Sequence, residues 1–328
     1  MTKGPQRNSE RAKKAKRVVA QAKTVAHQWS GIVAESFGLR NGKTPSAGAR
    51  LTPPACEIDL DRWSASALAA CWLGHATTLL RVGGANILTD PHFDERAGVR
   101  IAKRKIGRRR TIGVPIEPEN LLPIDLVLLS HAHMDHWDKD SLRRLVKQEW
   151  AKRAVVLIPP GTRRLLPAGF GTVIELGWEG RAEHGGVSLK AIRPRHWGAR
   201  FLWDRQRGYN AYLIEHAALR VLFGGDTAHT HAFDHLGKVH RRGANDRAGV
   251  DLAVMGIGSY EPWHEQHATP EQVAEMAKRM QASLLMPIHH ATFEDSNVPL
   301  SEPLERLVKA WDPERMVCPR VGDVWYSE

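Results

Sequence analysis

Apolar residues are distributed along the chain in two ways. Over residues 6–39, Val18, Ala22, Val25, Trp29, Ile32, Val33 and Phe37 recur at helical spacing. Lys13, Lys14, Lys16, Arg17 and Lys23 surround them, and the pattern predicts a basic amphipathic helix. Gly42 to Pro54, rich in Gly, Pro, Ser and Ala, reads as a linker. From about Trp63 the period changes. Short apolar runs alternate with turns: "ACWLG", "TTLLRV", "ANILTD" and "IDLVLLS". These read as strands, and the last is apolar enough to be buried on both faces. A helix is expected at Lys139–Arg153, then strands at "AVVLIPP", "TVIEL" and "GVSLKAI". "YNAYLIEHAALRVLFGGD" reads as a hairpin turning near His216–Ala218, and "DLAVMGIG" and "SLLMPIH" as further strands.

"ATPEQVAEMAKRMQ" carries a helix start in its own letters. Thr269 can cap, Pro270 fits the first turn and Gln272 completes a capping box. Ser301–Trp311 is expected as a last helix. Strands in bunches with helices between and after them imply a layered α/β protein with mixed sheets.

Length and composition narrow the setting. The 328 residues are 42% hydrophobic, enough for a sizeable core. No apolar run approaches membrane-spanning length, and the positive N-terminus lacks the apolar stretch of a secretory signal. Cys56, Cys71 and Cys318 are far apart in sequence and odd in number. They point to reduced thiols in a cytoplasmic setting rather than a disulfide framework or a cysteine zinc site. The net charge of +11 is uneven: residues 1–50 hold eleven Lys/Arg against Glu10 and Glu35. That segment carries +9 and leaves about +2 for the rest. The division expected is therefore a basic helical extension and linker over 1–55 and a single larger domain over 56–328. The extension suits docking on the body or on a second subunit, as in a homodimer, or leaning on an anionic membrane surface. Nucleic acid is a poorer fit, because interleaved aromatics and a recognisable binding module are missing.

The candidate chemistry lies in "LLSHAHMDHWD", Leu128 to Asp138. A buried strand delivers Ser130-His131-Ala132-His133-Met134-Asp135-His136 to its C-terminal end. Alternate side chains of an extended segment share a face, so His131 and His133 can grip one metal. A turn after His133 lets Asp135 and His136 address a second. Imidazole and carboxylate suit Zn²⁺, with Mn²⁺ or Fe as alternatives. Two such ions roughly 3.5–4 Å apart can share a hydroxide and clamp an ester or phosphoryl group. Further ligands are offered where other strands end: His196 in "RPRHWGAR", Asp226 in "LFGGDTAH" and His289 in "LLMPIHHATF".

These residues resemble the metallo-β-lactamase superfamily. "WLGHATTLL", "LTDPHF", "PIDLVLLSHAHMDHWD", "RHW", "GGDT", "GIGSYEP", "QHATPEQ" and "PIHHATF", in this order over about residues 70–295, are similar to the N-acylphosphatidylethanolamine-hydrolysing phospholipase D family. The resemblance implies a four-layer αβ/βα sandwich of the metallo-β-lactamase type, with two mixed β-sheets and a binuclear zinc site at its edge. It implies His131, His133 and His196 on one zinc, Asp135, His136 and His289 on the other, and Asp226 bridging both. A bridging hydroxide would then attack phosphorus. Asp135 would orient it, and His267 would bind the phosphate or aid proton transfer. His75 and Asp90 match as supports or turn formers, and Tyr260 and Glu261 as part of the site wall. His290 and Trp263-His264 depart from the family pattern and leave the substrate open.

The run "RIAKRKIGRRR", Arg100–Arg110, precedes the metal strand and would suit phosphate groups or an anionic bilayer near the site. The expected function is a phosphodiesterase of phospholipase D type acting on a phospholipid or similar phosphodiester, cytoplasmic with peripheral membrane contact. The alternatives are a lactone or sugar-phosphate lactone hydrolase of the same fold and a nuclease. The nuclease lacks a separate clamp domain. A non-catalytic binding protein would not need so complete a ligand set.

Overall fold

In the computed structural model, the described residues are 51–102, 104–201, 204–238, 248–295 and 297–328. The basic helix expected over 6–39 lies outside them. The strands are β1 (Leu68–Gly74), β2 (Thr77–Val82), β3 (Ala85–Thr89), β4 (Arg96–Ile101), β5 (Arg104–Arg109), β6 (Leu126–Leu128), β7 (Val155–Ile158), β8 (Thr172–Glu175), β9 (Arg181–His184), β10 (Val187–Ile192), β11 (Ala211–His216), β12 (Leu219–Phe223), β13 (Leu252–Gly256), β14 (Leu284–Ile288) and β15 (Val324–Tyr326). The α-helices are α1 (Leu60–Ala65), α2 (Lys139–Leu145), α3 (Pro270–Arg279) and α4 (Glu302–Ala310).

One sheet has the order β15-β1-β2-β3-β6-β7-β8 and the other β14-β13-β12-β11-β10-β9. Both are mixed. The first is antiparallel from β15 to β3 and parallel from β3 to β8. The second is parallel from β14 to β12 and antiparallel from β12 to β9.

The period of two in the strands sorts their side chains into layers. Ala70, Trp72, Leu80, Ile87, Leu126 and Leu128 of the first sheet face Leu189, Tyr212, Phe223, Val254 and Met286 of the second in one core. The alternate residues Cys71, Leu79, Leu88, Val127 and Val156 point outward to Trp63, Leu142 and Leu145 on the helical side. On the other flank, Leu222, Ala253, Met255 and Leu285 pack against Val273, Ala274, Met276 and Ala277 of α3 and Leu307 of α4. The result is helix, sheet, sheet, helix: the four-layer sandwich of the metallo-β-lactamase type.

The local signals act as read. Thr269 and Gln272 form the capping box of α3, with Pro270 in its first turn. The helix expected at Lys139–Arg153 is shorter. Asp138 caps α2, whose end tightens into i→i+3 bonds at Lys147 and Gln148. A 3₁₀ turn over Glu149–Lys152 then buries Trp150 and redirects the chain into β7 at Val155. The basic run Arg100–Arg110 spans most of a separate two-stranded hairpin, β4–β5. Gly98 and Gly107 oppose each other there, so close that a side chain at either would meet the facing backbone.

Candidate metal centre

Parallel strands β3, β6, β12, β13 and β14 all deliver loops to one edge of the sandwich. β3 ends in Asp90. Its carboxylate accepts from Ser130 N at 2.7 Å, from the Ser130 hydroxyl, and lies 2.7 Å from His136 Nδ1. That pins the segment after β6 on which the histidines sit. β12 ends in Gly224-Gly225-Asp226. Gly225 has φ +56°, and a Cβ there would stand 2.9 Å from Ser130 Cβ, so glycine is what lets Asp226 reach the cluster. β14 ends at Ile288, and His289 N donates to His75 O at 2.9 Å.

Two four-residue groups result, each with potential ligand atoms mutually within 4.8 Å: His131, His133, His196 and Asp226; and His75, Asp135, His136 and His289. In the first, His131 Nε2 is 2.8 Å and His196 Nε2 3.3 Å from His133 Nδ1, and both Nε2 atoms are 3.7 Å from Asp226 Oδ2. Asp226 also belongs to the neighbourhood of the second group. Its Oδ2 is 3.0 Å from His136 Nε2 and its Oδ1 3.3 Å from His289 Nε2. Asp135 Oδ2 lies 3.7 Å from His289 Nε2 and 4.0 Å from His136 Nε2. The seven residues singled out in the sequence thus meet, with Asp226 between the two groups. His267 stands at their edge, its Nδ1 3.9 Å from Asp226 Oδ2.

The chemistry of this donor set fits divalent cations. His136 Nε2 and His289 Nε2, which face the carboxylates of the cluster, are buried without a hydrogen-bond partner. His136 Nε2 is close to Asp226 but not aligned for a hydrogen bond. Leaving such atoms unpaired costs about 1–3 kcal/mol each, a cost that coordination would remove. Burial holds His133 down to about 4, and His196 and His267 to about 3, so these imidazoles are neutral and their lone pairs available. Burial would push Asp135 and Asp226 up, but the adjacent His136 holds both well below the usual carboxylate range. Burial likewise opposes a charge on His136, yet Asp226 and Asp135 raise it well above the ordinary imidazole value. The cluster therefore draws positive charge inward, which a nitrogen–oxygen metal site also does.

Asp90 lies behind His136 as a support. His75, read as a support or turn former, is inside the second group: its Nε2 is 3.0 Å from Asp135 Oδ2. Its sequence signal was only the "GHAT" motif, 60 residues from its partner. Arg108 is the cation that the charge run brings to the site, with Nη2 3.1 Å from Asp135 Oδ2. The run is otherwise largely engaged. Lys105 is buried between Asp94 and Asp138, Arg110 donates to the Asp94 and His92 carbonyls, and Arg100 pairs with Asp140. Tyr260 is buried and donates to Glu302 at 2.8 Å, and His290 is buried against Trp72.

Residues 85–290 match the family model described as "Beta-lactamase superfamily domain", and the chain belongs to that family. Within that fold its His/Asp groups are able to bind metal. Among its relatives is the uncharacterized protein Rv0906 of Mycobacterium tuberculosis, 30% identical over 293 residues, 87% of this chain and 74% of that protein. The N-acyl-phosphatidylethanolamine-hydrolyzing phospholipase D 1 of Caenorhabditis elegans is 27% identical over 297 residues, 84% of this chain and 80% of the relative. Of solved structures, Igni18, a metallo hydrolase from Ignicoccus hospitalis, superposes with a TM-score of 0.59 at 18% identity, covering 80% of this chain and 98% of its own. Among the described residues, no helix is long and apolar enough to cross a membrane.

Proposed function

We propose that this chain is a binuclear zinc phosphodiesterase of phospholipase D type, acting on N-acylphosphatidylethanolamine-like lipids. The observation that carries the lipid reading is an apolar groove of about 720 Å³ beside the metal cluster. Pro54, Ile112, Leu300, Leu304, Val308 and Val321 line it. It shares His290, Ala291 and Leu300 with the smaller pocket that holds His75, Arg108 and His289. A groove of this size suits hydrocarbon, and the cationic Arg108 in the adjoining smaller pocket suits a phosphodiester. The relative in Caenorhabditis elegans, named for this reaction, agrees.

His131, His133 and His196 would hold one cation, Asp135, His136 and His289 the other, with Asp226 shared. Bound there, divalent cations supply Lewis acidity and lower the pKa of water. The protein's own part is positioning. Arg108 meets the phosphate charge, Asp90 keeps His136 Nδ1 occupied so that Nε2 faces the cluster, and Asp135 orients the attacking water. His267, neutral and at the rim, hydrogen-bonds the phosphate or passes the proton.

The β4–β5 hairpin that carries Arg108 ends in Ile101, 58% exposed beside the exposed Arg100 and Arg104. That tip, with the basic segment 1–50, suits contact with an anionic membrane surface. The test is a substrate comparison on metal-loaded enzyme: N-acylphosphatidylethanolamine vesicles, a short-chain soluble phosphodiester, a lactone and an oligonucleotide. Release of phosphatidic acid is expected, with preference for the long-chain lipid lost in Val308→Asp. Lactone opening or nucleotide release without phosphatidic acid would overturn the reading.

A further inference from the structure

The three cysteines, distant in sequence, come together in the fold. Cys56 lies in the arm of residues 51–59 that leads into α1, Cys71 in β1, and Cys318 in the loop before β15. Cys56 Sγ is 3.4 Å from Cys71 Sγ, and both are free thiols. Cys71 is buried and Cys56 half-buried. Cys318 Sγ donates instead to Ala70 O at 3.4 Å. The arm is anchored on both sides of Cys56. Gly113 N donates to Thr52 O at 3.0 Å, and Asp59 N donates to the Tyr326 hydroxyl at 2.8 Å. The two sulfurs therefore face each other as a consequence of folding.

We propose that Cys56 and Cys71 form an oxidation site, a dithiol that a hydroperoxide converts to an intramolecular disulfide pinning the arm to β1. The closure is the short remaining step from 3.4 Å to a bond of about 2.05 Å. The Cys56 thiolate attacks a peroxide oxygen and the O–O bond breaks. Cys56 becomes a sulfenic acid, and the released hydroxide takes up the thiol proton as water. The Cys71 sulfur then attacks the Cys56 sulfur. The S–O bond breaks, and the Cys71 proton leaves with the hydroxyl as a second water. Two thiols are oxidised to one disulfide, and one hydrogen peroxide is reduced to two waters. The hydrogen bond from Cys71 lowers the Cys56 thiol from its ordinary value and raises Cys71, which makes the accessible Cys56 the first to react.

Such a crosslink closes a loop of about 15 residues and restricts the unfolded chain most. It also fixes the arm that carries residues 1–50 and supplies Pro54 to the groove wall.

The full chain, metal-loaded and reduced, is treated with stoichiometric hydrogen peroxide, and thiols are counted after unfolding. The count is expected to fall from three to one, with loss of the mass of two hydrogens and a Cys56–Cys71 peptide crosslink. The thermal midpoint should rise by several degrees and dithiothreitol should reverse both changes. Cys56→Ser, at a half-buried position, should abolish the crosslink, and Cys318→Ser should leave it intact. Three remaining thiols, oxygen addition at Cys56 without a crosslink, or a bridge to Cys318 would each overturn the proposal.

Discussion

Asp90 Oδ2 lies 2.7 Å from His136 Nδ1, and both side chains are fully buried. The carboxylate holds the ring by Nδ1, so that Nε2 is the nitrogen presented to the cluster beside Asp226. Asp90→Ala should therefore weaken metal binding about 10–100-fold, although Asp90 is not itself in the proposed ligand set. Competition against a chromogenic chelator measures this. Unchanged affinity in a folded variant would remove Asp90 from the account.

Arg108 brings a guanidinium to the proposed reaction centre, with Nη2 3.1 Å from Asp135 Oδ2. Arg108→Gln should lower kcat/KM for an anionic phosphodiester by about tenfold or more. Metal content should stay the same, and turnover of a neutral ester should change little. Equal losses on both substrates would mean that Arg108 serves the metal cluster rather than the phosphate.

His92 gives a pH dependence with a definite sign. Neither of its ring nitrogens has a partner, and burial pushes it from 6.5 down to about 4. The unfolded chain takes up this proton at higher pH than the folded one. The stabilisation is thus fully present above pH 6.5 and is lost as pH falls toward 4. The loss is on the order of 3 kcal/mol. Urea denaturation of chelator-treated protein across this range should show a flatter pH slope in His92→Phe than in the wild type. Identical slopes would contradict the assignment.

Much of this architecture is legible in the letters because local and global signals agree. The β11–β12 hairpin turns where its apolar runs break, α3 starts at its capping box, and β6 is apolar because both faces are covered. The donor cluster is legible because four ligand-type residues, His131, His133, Asp135 and His136, crowd into six positions after that strand. What escaped depends on distance along the chain. Read as a charge run, Arg100–Arg110 is mostly hairpin strand. Its cations are matched by Asp94, Asp138, Asp140 and Asp135, which no local pattern announces. His75 meets Asp135 only through the packing of β1 and β2 against the β6 loop. Cys56 and Cys71 meet only because the arm is laid beside β1. α2 is shorter than its periodicity implies because the chain must turn into β7.

The most direct measurement is the metal content of the purified, zinc-reconstituted chain and of His133→Ala and His289→Ala, one from each group. Two zinc ions are expected in the wild type, one fewer in each variant, and hydrolysis lost with either. Two tightly held ions and undiminished turnover in either variant would contradict this.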